Sequence, residues 1–251
     1  MASTSKIQWT GGTWNPWTGC RKVSPGCKFC YMYRDKERYG KDPKEVIRSK
    51  STFDQPLKWT EPRLIFTCSW SDFFIKDADE WRDDAWDIIR RTPHHTYQIL
   101  TKRPERVMEC LPDDWGDGYP NVWLGVSVEN QEMYDARVPM LADIPAAVRF
   151  LSLEPLIGPI DVDTKGQYLE HDIHWVIIGG ESGNDTGKYR YRRADIKWFT
   201  DIITDVLKYG VATFFKQTGT YVAKKMGLKD RHGGDWDEFP TILQVREFPK
   251  Q

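Results

Sequence analysis

At 251 residues the chain can bury one large core, while five cysteines are too few, and odd in number, for a disulfide framework. A net charge of -1 excludes an overall basic bias, so any nucleic-acid partner would need a local basic patch. No run of about 18 apolar residues exists, which excludes a membrane-spanning helix; the opening Met1-Ala-Ser-Thr-Ser-Lys-Ile-Gln8 lacks a signal-peptide stretch, and the chain reads as cytoplasmic.

Taken in order, a strand near Ile7–Trp9 opens the chain. An irregular cysteine loop follows at about residues 14–34, and a short helix through Tyr31–Arg38 ends at Gly40. Leu64–Cys68 has strand length and composition. Asp77 is expected to cap a helix that buries Ala78, Trp81, Ala85, Ile88 and Ile89 and closes at Arg90, Arg91 and Pro93. Strands are expected at Thr96–Thr101, Val122–Ser127, Val148–Leu153, Trp175–Gly179 and Val211–Phe215. A second helix runs from about Ala194 to Tyr209 on a stripe of Phe199, Ile202, Ile203 and Val206, and Gly210 stops it. Alternating strands and helices, with strands apolar on both faces, predict an α/β fold with six or seven parallel strands in one domain, open or closed into a barrel. Most of the twelve tryptophans are expected in the core.

The cysteine loop is the densest chemical signal. Cys20, Cys27 and Cys30 sit in Gly19-Cys-Arg-Lys-Val-Ser-Pro-Gly-Cys-Lys-Phe-Cys-Tyr31. Three clustered thiolates can hold an iron–sulfur cluster and leave one iron open for a ligand. Zinc also takes Cys-x-x-Cys pairs, with a fourth ligand from Cys68, Cys110 or a histidine, and that alternative stays open on spacing alone.

The strand ends carry the second signal. Asp72, Lys102, Glu129, Glu154, Glu181, Lys216 and Gln217 each lie just past an expected strand. In α/β barrels these ends converge on the face that holds the active site. The plainer reading is that loops are polar anyway. Asp72 can also cap the following helix, and Gly179-Gly180 can serve a tight backbone approach.

Together, Trp14-Asn-Pro-Trp-Thr-Gly-Cys20, Val23-Ser-Pro-Gly-Cys27, Ser69-Trp-Ser-Asp72, Leu100-Thr-Lys-Arg-Pro104, Trp123-Leu-Gly-Val-Ser-Val-Glu-Asn130, Arg149-Phe-Leu-Ser-Leu-Glu-Pro155 and Gly179-Gly-Glu-Ser-Gly183 resemble a radical-SAM-like family of phage and bacterial proteins, over nearly the whole chain. Cys27-Lys-Phe-Cys30 resembles the end of the radical S-adenosylmethionine (SAM) signature. The first spacing departs from it, with six residues where three are usual. The resemblance implies a partial or near-complete (β/α) barrel of radical SAM type. It implies a [4Fe-4S] cluster on Cys20, Cys27 and Cys30, with SAM on the open iron, Phe29 near the adenine, and an external electron donor of flavodoxin or ferredoxin type. Ser71, Asp72, Ser127, Glu129, Glu181 and Lys216 are the further candidates for cofactor binding, and Cys68, Lys102 and Glu154 for catalysis. Gly179-Gly-Glu181 is similar to a triplet that holds the SAM amino group in such enzymes. There it follows the second strand and here the sixth, so the role does not transfer by position. In the family the place of Cys68 is more often asparagine.

For a substrate, Lys188-Tyr-Arg-Tyr-Arg-Arg193 offers cations and rings that can track a phosphate backbone and stack bases, or simply form a solvated loop. The resemblance points to a nucleic-acid base, a hypermodified thymine in phage DNA. Cys68 is either a hydrogen-atom donor or a small buried hydrophobe, and Cys110 has no evident partner. The competing functions are a zinc-stabilised nucleic-acid-binding module without catalysis and an iron–sulfur electron carrier or sensor that leaves SAM intact.

Overall fold

A computed structural model of the chain describes residues 5, 7–162 and 167–250. The reading of the first residues as free of a leader falls largely outside the described residues. In chain order the strands are β1 (Gly12–Trp14), β2 (Trp17–Thr18), β3 (Ile47–Arg48), β4 (Leu64–Thr67), β5 (Thr96–Thr101), β6 (Val122–Ser127), β7 (Val148–Leu156), β8 (Trp175–Gly180) and β9 (Ala212–Gln217). The helices are α1 (Tyr31–Arg38), α2 (Asp79–Arg91), α3 (Gln131–Ala142), α4 (Gln167–His171), α5 (Ile196–Lys208) and α6 (Gly219–Met226). Seven strands form one sheet in the order β1-β4-β5-β6-β7-β8-β9, while β2 and β3 form a small antiparallel pair. The expected α/β class with parallel strands is what the chain adopts.

Contacts divide the chain into two compact units. The first comprises Met1–Val23, Met32–Val126 and Asp143–Ala147. In it β1, β4, β5 and β6 run parallel, with Thr13 opposite Phe66, Phe66 opposite Gln98, and Gln98 opposite Trp123. The second comprises Ser24–Tyr31, Ser127–Ala142 and Val148–Gln251. It holds parallel β7, β8 and β9, and Val128, just past β6, donates its N–H to Ser152 of β7 at 2.8 Å.

All six residues of β6 and all six of β8 are buried. Such strands bury both faces, as a helix-covered parallel sheet requires. The α5 stripe of Phe199, Ile202, Ile203 and Val206 is buried as expected, and Asp195 caps the helix by accepting from the Lys197 N–H at 3.0 Å. Eight of the twelve tryptophans are buried.

Three expectations are corrected. The first strand lies at Gly12–Trp14, not Ile7–Trp9; residues 7–9 form a bend and turn, and the β-pairing with β4 begins only at Gly12. Asp77 does not cap α2. The helix starts after Ala78, with no side-chain cap, and Asp77 instead pairs with Arg21 at 2.6 Å. On α2 it is Trp86 that is fully buried, while Trp81 is half-buried. Arg82 is buried too, because its guanidinium donates to the carbonyls of Phe73 and Ile75 at 3.0 and 2.8 Å.

Candidate functional site: a thiol loop held by buried charges

In the first unit, Cys20 is fixed at three atoms. Its N–H donates to Pro43 O at 2.9 Å and its carbonyl accepts from the Tyr33 hydroxyl at 2.7 Å. Its sulfur accepts from Arg103 Nη1 at 3.8 Å. Arg103 also donates from Nη2 to Arg21 O at 2.8 Å and pairs with Asp72 Oδ2 at 2.9 Å. Asp72 accepts three further bonds, from Thr101 Oγ1 at 2.7 Å, Phe74 N at 3.0 Å and Lys102 N at 3.0 Å. Asp72 is therefore a buried organiser of the β4 and β5 ends, not a helix cap. Ser71 joins it by donating from Oγ to Gly19 O at 2.5 Å. Lys102 is half-buried and meets Asp72 through its backbone.

Cys68 follows β4 and is buried, with φ of 62°. Burial pushes its thiol well above the ordinary range, helped by the nearby Asp72 and Cys20. Cys110 does have partners: Arg106 donates to its sulfur at 3.4 Å and Trp86 to its carbonyl at 2.9 Å. None of the five cysteines is in a disulfide; Cys20, Cys27 and Cys30 are half-buried, and Cys68 and Cys110 are buried. Thiol titration of the native apoprotein is accordingly expected to show three fast groups, with two more appearing only on denaturation. Five fast thiols would contradict the burial of Cys68 and Cys110.

In the second unit the other end of the loop is held by a different pair. Cys27 closes a short 3-10 turn at Pro25–Cys27. Ser24 Oγ donates to Glu129 Oε1 at 2.7 Å and lies 3.7 Å from Cys27 Sγ. Glu129 has no exposed surface, and its Oε2 accepts from Arg137 Nη1 at 3.2 Å. Gly26 packs against this carboxylate so closely that a Cβ there would stand 2.3 Å from Glu129 Cγ. Ser127 is buried beside them, its carbonyl accepting from Arg137 at 2.7 Å.

A second brace comes from the basic stretch. Arg192 forks onto both Glu181 oxygens, donates to Pro25 O at 2.9 Å, and stands over the Phe29 ring at 5.5 Å. The rest of that stretch is divided. Tyr189 is buried in the core and Tyr191 donates to Asp185 at 2.8 Å, so Tyr189 presents no stacking surface. Lys188, Arg190 and Arg193 remain exposed.

At the ends of β7, β8 and β9, Glu154 Oε1 accepts from Lys216 Nζ at 2.7 Å and from Gln217 Nε2 at 3.2 Å. Gln217 also donates to Gly180 O at 2.9 Å and Ser182 Oγ at 2.7 Å. The Glu154 and Lys216 side chains are 18% and 20% exposed, so the pair is reachable from solvent. Of the expected residues, Cys20, Cys68, Ser71, Asp72 and Lys102 thus gather in the first unit. Cys27, Phe29, Glu129 and Glu181 gather in the second, with Glu154 and Lys216 in a group of their own. Arg103 and Arg137 are partners the sequence reading passed over, and Arg192, expected as one of the phosphate-tracking cations, is instead tied to Glu181 and Pro25 O.

As donors, half-buried thiols outside any disulfide, one of them accepting from a guanidinium, have the chemistry of iron–sulfur ligands, which are anionic thiolates. Among the described residues no group of three His, Cys, Asp or Glu side chains is gathered to hold a single metal ion. In a four-iron cluster each thiolate binds a different iron, so the fit is one of donor chemistry. No helix of the described residues is long and apolar enough to cross a membrane. No match was found among curated proteins, and none among solved structures. The model of the family described as "Protein of unknown function (DUF5131)" matches residues 4–240, and the chain belongs to that family.

Proposed function

We propose that the protein is a radical SAM enzyme that acts on a nucleic-acid base, with Cys20, Cys27 and Cys30 as ligands of a [4Fe-4S] cluster. The observation that carries this reading is the bracing of the thiol loop. Two buried charged pairs at strand ends, Asp72–Arg103 and Glu129–Arg137, and a half-buried one, Glu181–Arg192, hold it at Cys20, Ser24 and Pro25. A surface loop without chemistry gives no return on two desolvated ion pairs, since burying charge is costly. When bound, such a cluster with an external electron donor of flavodoxin or ferredoxin type would let one electron cleave SAM to methionine and a 5′-deoxyadenosyl radical, which removes hydrogen from the substrate.

The chain's own residues have separable parts in this reading. Arg192 keeps the Phe29 ring oriented, which suits contact with an adenine face. Glu154 and Lys216 offer a reachable anion and cation to hold polar ends of SAM or substrate. Lys188, Arg190 and Arg193 supply the exposed positive charge that a phosphate backbone seeks. A base in a duplex would have to leave its stack to be reached.

Anaerobic reconstitution with iron and sulfide, reduction by dithionite and addition of SAM test the reading. The expected outcome is 5′-deoxyadenosine by mass spectrometry from the wild type and none from Cys27→Ala. A protein that binds the cluster and leaves SAM intact would be an electron carrier or sensor instead. A colourless protein carrying one zinc would be the binding module.

A further inference from the structure

Arg103 is the buried cation that no cluster-ligand motif would select, and its contacts form one chain of cause. Its side chain is 8% exposed, and that of Asp72 is 6% exposed. Asp72 fixes Nη1, and the same nitrogen reaches Cys20 Sγ at 3.8 Å. Nη2 holds the next carbonyl, Arg21 O, at 2.8 Å. Asp72 is itself held by Thr101 Oγ1 and the N–H groups of Phe74 and Lys102, so the guanidinium cannot swing away.

We propose that Arg103 is a positioning residue that sets the reduction potential of the metal centre through the Cys20 sulfur, a role that rests on the cluster reading above. A reduced cluster carries one more negative charge than the oxidised one. An N–H donor and a fixed cation at a ligand sulfur stabilise the more negative state, and hydrogen bonds to sulfur are among the levers that set such potentials. Arg103 therefore raises the potential. The exposed Arg21, whose side chain is 58% exposed and paired with Asp77, is screened by water and contributes little.

The test compares reconstituted wild type with Arg103→Lys, Arg103→Gln and the control Arg21→Ala, by redox titration followed by electron paramagnetic resonance. Arg103→Lys keeps the charge opposite Asp72 but lacks the fork that reaches both Asp72 and the sulfur. At one fixed potential its reduced-to-oxidised ratio is expected to fall roughly tenfold, which is about 59 mV for a one-electron couple. Arg103→Gln is expected to fall further, and Arg21→Ala to match the wild type. If Arg103→Gln does not fold, Arg103→Lys, which retains the buried ion pair, decides the matter. Loaded variants with the wild-type potential overturn the role of Arg103 and leave the cluster reading standing. A wild type that binds no cluster overturns both.

Discussion

Replacing Glu129 with Leu is expected to cost about 3–5 kcal/mol and to loosen the Cys27 end of the thiol loop. Glu129 is fully buried and Arg137, its partner at 3.2 Å, is 6% exposed at the side chain. Removing the carboxylate leaves a guanidinium in a dry site, and an uncompensated buried charge is far more costly than a lost surface pair. The same change takes the acceptor from Ser24, whose hydroxyl otherwise donates to Glu129 at 2.7 Å beside Cys27. Urea denaturation measures the first effect, and the alkylation rate of Cys27 in the native apoprotein the second. Adding Arg137→Met should restore most of the stability, because both charges are then gone. It should not restore the wild-type alkylation rate of Cys27, because Ser24 still lacks its partner. A single variant within about 1 kcal/mol of the wild type would mean that Ser127 O, which accepts from Arg137 at 2.7 Å, is enough to satisfy the guanidinium.

The fold was more legible than the site, for physical reasons. Strands at Thr96–Thr101 and Val122–Ser127 match expectation residue for residue, because short β-branched and aromatic runs between turns have few other solutions. α1 and the α5 stripe were legible for the same kind of reason, a local period with a local stop. The opening strand was missed because three residues carry little pattern, and the pairing that makes Gly12–Trp14 a strand comes from β4, some fifty residues on. The charged strand ends were seen, but their partners are long-range. Arg103 could have been found by carrying strand alternation past Thr101. Residues 101 and 103 share a face, and both bond Asp72, whereas Lys102 reaches it only through its backbone. Arg192 gave no such signal, since its partner Glu181 lies across an irregular loop. Cys68 sits at a φ of 62°, the left-handed region that side chains other than asparagine and aspartate adopt only rarely, and no local pattern in the sequence marks that turn.

A Gly180→Ala protein is expected to lose about 1–3 kcal/mol or more, and with it the polar group at the ends of β7, β8 and β9. A Cβ on Gly180 would stand 2.1 Å from Thr218 O and 2.9 Å from Gly219 N. These are backbone atoms, so no rotamer change relieves the clash, and the turn between β9 and α6 must move. That turn follows Gln217, which donates to Gly180 O, Ser182 Oγ and Glu154 Oε1. Displacing it therefore unseats Gln217 and disturbs the Glu154–Lys216 pair. Gly179→Ala separates the two consequences. Its Cβ would meet the Glu154 carboxyl carbon at 3.1 Å, the end of a side chain that can give way. This variant should melt close to the wild type while shifting Glu154 from Lys216. Thermal denaturation ranks the two proteins, and SAM binding by calorimetry to the reconstituted protein reads the site. If Gly179→Ala keeps both stability and affinity, Glu154 and Lys216 form a structural ion pair with no part in the proposed binding of SAM.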